Sequence, residues 1–72
     1  MNEDLKAIGA RVRAARKNLN LSQIDFSERL NISPAYISDI EMGKMKFRID
    51  IFMRITETLQ MSADWLLRPD IP

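Results

Sequence analysis

Two stretches of this chain gather positive charge and admit no acid. Residues 6–17 carry Lys6, Arg11, Arg13, Arg16 and Lys17, and residues 44–48 carry Lys44, Lys46 and Arg48. Grouped guanidinium and ammonium groups can hold a polyanion, provided that the fold brings them to one face. Between the blocks stands "ISPAYISDIEMGK", Ile32 to Lys44, in which Asp39 and Glu41 are the only charges before the final lysine. The net charge of +1 therefore conceals an acidic segment flanked by bases. Charges spread over exposed helix faces give a similar balance, so distribution alone leaves a partner site and a solvated surface equally open.

Other chemistry is poorly supplied. The chain has no cysteine and no histidine. The two commonest zinc ligands, a thiol nucleophile and an imidazole base are therefore all missing. There is no glycine-rich phosphate loop and no nucleophile-elbow serine. No metal, no cofactor and no enzymatic activity are expected. Seventy-two residues suffice for one domain, 1–72, and not for two. Apolar runs such as Ile51-Phe52-Met53 fall far short of the ~18 residues of a membrane span. The N-terminal "MNEDLKAIG" has acids where a secretory signal carries bases. A soluble, cytoplasmic protein without membrane partners is expected.

The elements that must position these charges read as helices. Apolar residues recur at three- and four-residue steps, and no stretch alternates with a period of two. A first helix over 5–19 has Leu5, Ile8, Val12, Ala15 and Leu19 as its apolar stripe. At ~100° per residue Lys6, Arg13 and Lys17 fall opposite that stripe, and Arg16 falls at its edge. Asn20 can cap its end in the left-handed conformation. A second helix, 23–30, starts after Ser22 with Asp25 completing a capping box, and buries Phe26 and Leu30 beside small Ser27. A third, 34–42, has Ser33 as cap and Pro34 at its first position. It turns Ile37 and Ile40 inward and Ala35, Ser38, Asp39 and Met42 outward, with Tyr36 on a flank and Glu41 at the edge of the apolar side. Gly43 ends it. Asn31-Ile32-Ser33 is the only connection between the second and third helices, which makes a helix-turn-helix. A fourth helix, 48–60, buries Ile51, Phe52, Ile55 and Leu59. A fifth, 63–67, is capped by Ser62 and stopped by Pro69.

The stretch "LSQIDFSERLNISPAYISDIEMGK" resembles the helix-turn-helix of the phage repressor and Cro family, also called the Xre family. Leu21, Ser22, Gln23, Phe26, Leu30, Ile32, Ser33, Ile37, Ser38, Ile40, Glu41, Gly43 and Lys44 carry the likeness. "RVRAARKNLNLSQ" looks like the family's first helix and "MSADWLL" like its closing one. The resemblance implies an all-α, compact five-helix lambda-repressor-like domain that binds operator DNA. Such proteins usually act as homodimers on palindromic sites and regulate transcription, here most simply as a repressor. Carried over by position, Gln23 would touch backbone phosphate, with Arg13, Lys17, Lys44, Lys46 and Arg48 adding positive charge. Ser33, Pro34, Ala35, Tyr36, Ser38 and Asp39 would face the bases. Arg16 and Glu41 would form an ion pair from the first helix to the end of the third. Trp65, Leu66 and Ile71 would be candidates for the dimer contact. The family often has Gly where Asn20 and Asn31 stand, Ala at Ser27 and Pro-Ser at Phe47-Arg48.

Several residues keep two readings. Ser22, Ser33 and Ser62 are caps first, each worth roughly 1 kcal/mol, although Ser33 can also reach DNA. Tyr36 can stack on a sugar, pack against a thymine methyl or bond a phosphate; otherwise it packs on the second helix. Asp39 can accept from cytosine N4 or stay a solvated charge. Pro34 and Ala35 have no donors, so bidentate base readout is excluded there. Trp65 and Leu66 serve either a dimer or the core. The rival function is a protein-interaction or oligomerisation module of a larger regulator, motivated by the absence of a basic residue on the third helix.

Overall fold

The computed structural model describes residues 3–44, 46 and 48–67. Its elements are α1 (Glu3–Asn18), α2 (Gln23–Leu30), α3 (Pro34–Glu41), α4 (Ile49–Leu59) and α5 (Ala63–Leu67). Among the described residues there is no strand. The fold is all-α, a compact five-helix helix-turn-helix domain.

Helix starts are set by serine hydroxyls. Ser22 Oγ accepts from Asp25 N at 3.0 Å, and the Asp25 carboxylate accepts in return from Ser22 N at 3.5 Å, closing a capping box. Ser33 Oγ accepts from Tyr36 N at 3.1 Å, with Pro34 in the first turn. Ser62 Oγ accepts from Trp65 N at 3.1 Å. Arg48 holds the cap position of α4 without a side-chain capping bond.

Helix ends share one device. Asn20, Asn31, Gly43 and Gln60 all take positive φ. In each case the following residue donates its N–H back into the last turn: Leu21 to Arg16, Ile32 to Ser27, Lys44 to Asp39 and Met61 to Thr56. These are Schellman closures, which occupy carbonyls that would otherwise lack donors. Leu21, Ile32 and Met61 then pack against the core, so each turn is also an apolar plug. That combination keeps the α2–α3 connection short and its angle fixed.

The core comprises Ile8, Val12, Ala15, Phe26, Leu30, Ile37, Ile40, Ile51, Phe52, Ile55, Leu59 and Leu66. Arg54 ties α4 to the end of α2, donating to the Leu30 carbonyl at 3.1 Å. Buried Ser27 is satisfied by donating to the Ile24 carbonyl at 2.7 Å.

Two expectations need correcting. Leu19 does not extend the α1 stripe; it is 43% exposed, because the helix stops at Asn18 and the left-handed Asn20 turns the chain away. The third and fourth helices are each shorter than expected, with Met42 and Arg48 as caps rather than members. Met42 lies at φ −91°, ψ −1°, and Gly43 supplies the left-handed step after it.

α1 meets α3 at Gly9. A Cβ there would strike the backbone carbonyl oxygens of Ile40 and Glu41. In an open helix Gly→Ala gains up to ~1 kcal/mol. Here Gly9→Ala should instead destabilise by about 1–3 kcal/mol through overpacking, lowering Tm by roughly 5–15 °C in thermal unfolding. A raised Tm would contradict this close approach.

Candidate nucleic-acid interface

The site is organised around the C-terminal end of α3. Arg16 and Glu41 are both buried and meet there. Arg16 Nε donates to Glu41 Oε2 at 2.7 Å and Nη2 donates to Oε1 at 3.1 Å, a two-point contact in the plane of the carboxylate. Nη1 donates to the Leu21 carbonyl at 2.7 Å. Gln23, the first residue of α2, donates its Nε2 to Glu41 Oε1 at 3.1 Å. One carboxylate therefore gathers α1, the start of α2 and the end of α3. Among the described residues no buried side-chain polar atom lacks a partner.

This arrangement removes Glu41 from the outer face of α3. Ser33, Pro34 and Ala35 are exposed at its N-terminal end, and Ser38 and Asp39 are half-buried along its length. Tyr36 is half-buried and packed against the core. The Ser33 hydroxyl caps the helix, so one of its lone pairs is engaged while its own hydrogen points elsewhere.

The basic blocks separate into inward and outward members. Arg16 is consumed by Glu41. Arg11 turns to α5, donating to the Trp65 carbonyl at 2.7 Å with its guanidinium 5.0 Å above the Trp65 ring. Arg13 and Lys17 are exposed, as are Lys44, Lys46 and Arg48. Lys6, Arg13 and Lys17 share one stripe of α1, at spacings of seven and four. The Lys6 backbone abuts Gly43, where an added Cβ would lie 2.6 Å from the Lys6 Cα. The Lys6 end of the α1 stripe thus adjoins Gly43, just past the end of α3. Arg48 also bonds Asp50 at 3.1 and 2.8 Å. Desolvation opposes the Asp50 charge, but the Arg48 hydrogen bond and charge, with backbone hydrogen bonds from Ile51 and Asp50, together outweigh it and hold the carboxyl below its ordinary range. That contribution is present at neutral pH and is lost as pH falls through the lowered value. Being exposed, the pair adds little stability.

A family model described as helix-turn-helix, of the Xre and Cro type, matches residues 12–66. The chain belongs to this family. It is 32% identical over 63 residues to the HTH-type transcriptional regulator RamB of Mycobacterium tuberculosis, in strains CDC 1551 / Oshkosh and ATCC 25618 / H37Rv. That match covers 88% of this chain and 13% of RamB, so the chain spans a small part of the relative's length. Two crystal structures of the clp gene regulator ClgR from Corynebacterium glutamicum share the fold. Each has a TM-score of 0.83 and 23% identity over 89% of this chain, covering 82% and 68% of the ClgR chains.

Among the expected dimer contacts, Leu66 is corrected: it is fully buried in the core. A five-residue helix has no periodicity to fix its rotation; here Leu66 packs inward while Trp65 meets Arg11. Trp65 is half-buried, and Ile71 lies outside the described residues. The apolar surface that does appear is Ile49 at 73%, Met53 at 58% and Leu67 at 52% exposure. Ile49 and Leu67 border an open groove with Leu5, Ile8, Lys46 and Phe52. Ile49 and Met53 were legible as a four-residue apolar pair outside the buried stripe of α4. The Gln23–Glu41 bond had no sequence signal, because its partners are eighteen positions apart.

Removing Glu41 would strand the Arg16 guanidinium without its counter-charge. Glu41→Ala should cost about 3–5 kcal/mol, a large part of the stability of a small domain, read as a fall in the urea midpoint. A loss below about 1 kcal/mol would mean that the pair is effectively solvated.

Proposed function

We propose that this domain binds double-stranded DNA sequence-specifically, with α3 in the major groove, as part of a transcriptional regulator working in the cytoplasm on nucleoid DNA. The observation that carries the reading is the burial of Glu41 beneath Arg16, together with the junction of Lys6 and Gly43. The first takes an acid off the face of α3. The second brings the Lys6 end of α1 next to Gly43, the residue before Lys44. α3 then needs no basic residue of its own, because attraction comes from its flanks.

In this reading Arg13, Lys17, Lys44, Lys46 and Arg48 approach phosphates, and their charges displace counterions. Gln23 and the free amides at the start of α2 meet the backbone as well. Ser33, Pro34, Ala35, Tyr36, Ser38 and Asp39 face the bases. The donor-free pair Pro34 and Ala35 reads shape and methyl groups, while Asp39 accepts from cytosine N4 or excludes sequences that crowd it. The protein acts as a homodimer on a palindromic operator, with half-sites about one helical turn apart. The apolar exposure of Ile49, Met53 and Leu67 favours the α4–α5 side for that contact. Repression follows if the operator overlaps a promoter.

Selection from random duplexes at two salt concentrations tests this. A preferred sequence and a steep fall in affinity with salt are expected. Lys44→Ala with Lys46→Ala should weaken all sequences alike and flatten the log–log salt slope by about 2, at ~0.9 per phosphate contact. Tyr36→Ala or Asp39→Ala should shift the preferred sequence, by about 1–3 kcal/mol of discrimination at the affected position. No enriched sequence and no salt response would favour a protein-interaction module instead.

A further inference from the structure

The side-chain amide of Gln23 has an orientation that chemistry dictates. Its partner, Glu41, is held in two-point contact by a guanidinium. A paired carboxylate accepts and does not donate, so the Gln23 nitrogen, and not its oxygen, must face Glu41. One of the two N–H bonds is thereby used. Among the described residues the second N–H and Oε1 bond no other group, and Gln23 is half-buried at the first turn of α2. The neighbouring Asp25 carboxylate is turned back to the Ser22 amide.

We propose that Glu41 is a positioning residue for DNA contact, fixing the Gln23 amide so that its second N–H meets a phosphate of the strand beside α2. The proposal rests on the DNA-binding reading above. A phosphate accepts only, so an amide free to rotate presents its repelled oxygen part of the time. An amide already held also loses less side-chain freedom on binding. Because Arg16 anchors the same carboxylate, the phosphate contact at α2 stays in register with α3. The acid on the recognition helix thus serves the polyanion without facing it.

The test is a double-substitution cycle in DNA binding, well below the Tm of each protein: wild type, Gln23→Ala, Glu41→Gln and both together. Gln23→Ala should weaken the wild type about tenfold or more, the scale of one hydrogen bond to a charged group. It should leave the salt slope unchanged, since a neutral amide displaces no counterion. In the Glu41→Gln background the same substitution should cost about twofold or less, because an amide at position 41 offers either its oxygen or its NH2 and no longer dictates which end of Gln23 faces it. A purely structural role for Glu41 predicts equal losses in both backgrounds, and that additivity would overturn the proposal. Should Glu41→Gln fail to fold, nitrogen-15 NMR of the free wild type decides. One Gln23 side-chain proton should be shifted downfield and protected from exchange relative to exposed Gln60; two protons that behave like those of Gln60 would overturn it. A wild type that binds no duplex removes the DNA-binding reading itself, and the proposal with it.

Discussion

The contact between Arg16 and Glu41 is the constraint on which the rest of this domain depends. It lies where three helices converge, and both partners are buried. Taking two charges out of water is expensive, and the attraction between them rarely returns more than it costs. Its value here is geometric. The guanidinium has a planar fork, and three of its nitrogens are directed to three acceptor atoms, two on Glu41 and one on the backbone of Leu21. A greasy contact tolerates sliding; this one does not. The helix-turn-helix angle, the start of α2 and the end of α3 are all fixed relative to α1 by the same few atoms.

Close packing reinforces that geometry. Gly9 lets α1 approach the α3 carbonyls, and Gly43 lets the chain pass over Lys6. Three of the four left-handed helix ends, at Asn20, Asn31 and Gln60, lead within three residues into the next helix. In each of these three an apolar residue anchors the turn on the core. Arg13 and Lys17 project from α1, which this packing holds against α3. In the proposed reading, electrostatic attraction comes from the flanks and discrimination from α3, so the two fall to different side chains.

Much of this was legible in the sequence where the physics is local. Ser22 with Asp25 marked the start of α2, Ser33 with Pro34 the start of α3, and the cores of α1 and α4 followed from their apolar spacing. The likeness to the Xre family suggested that Arg16 and Glu41 meet. What was not legible depends on partners distant in sequence. Leu66 and Leu67 look equivalent until the fold packs Leu66 inward, while Trp65 meets Arg11. Leu19 fits the α1 stripe by period and fails because the helix ends one residue earlier. Gln23 looks like any surface amide until Glu41 arrives from eighteen residues away.

In the proposed reading, the buried ion pair orients α3 for DNA rather than stabilising the fold. The most direct measurement replaces both charges with apolar side chains of similar bulk, Arg16→Met with Glu41→Leu, and compares unfolding with operator binding. The account predicts stability within about 1 kcal/mol of wild type or above it, while affinity for the selected duplex falls by at least about tenfold because the supporting contacts of the site are gone. A double variant that is as stable as wild type and binds the same duplex equally well would contradict it.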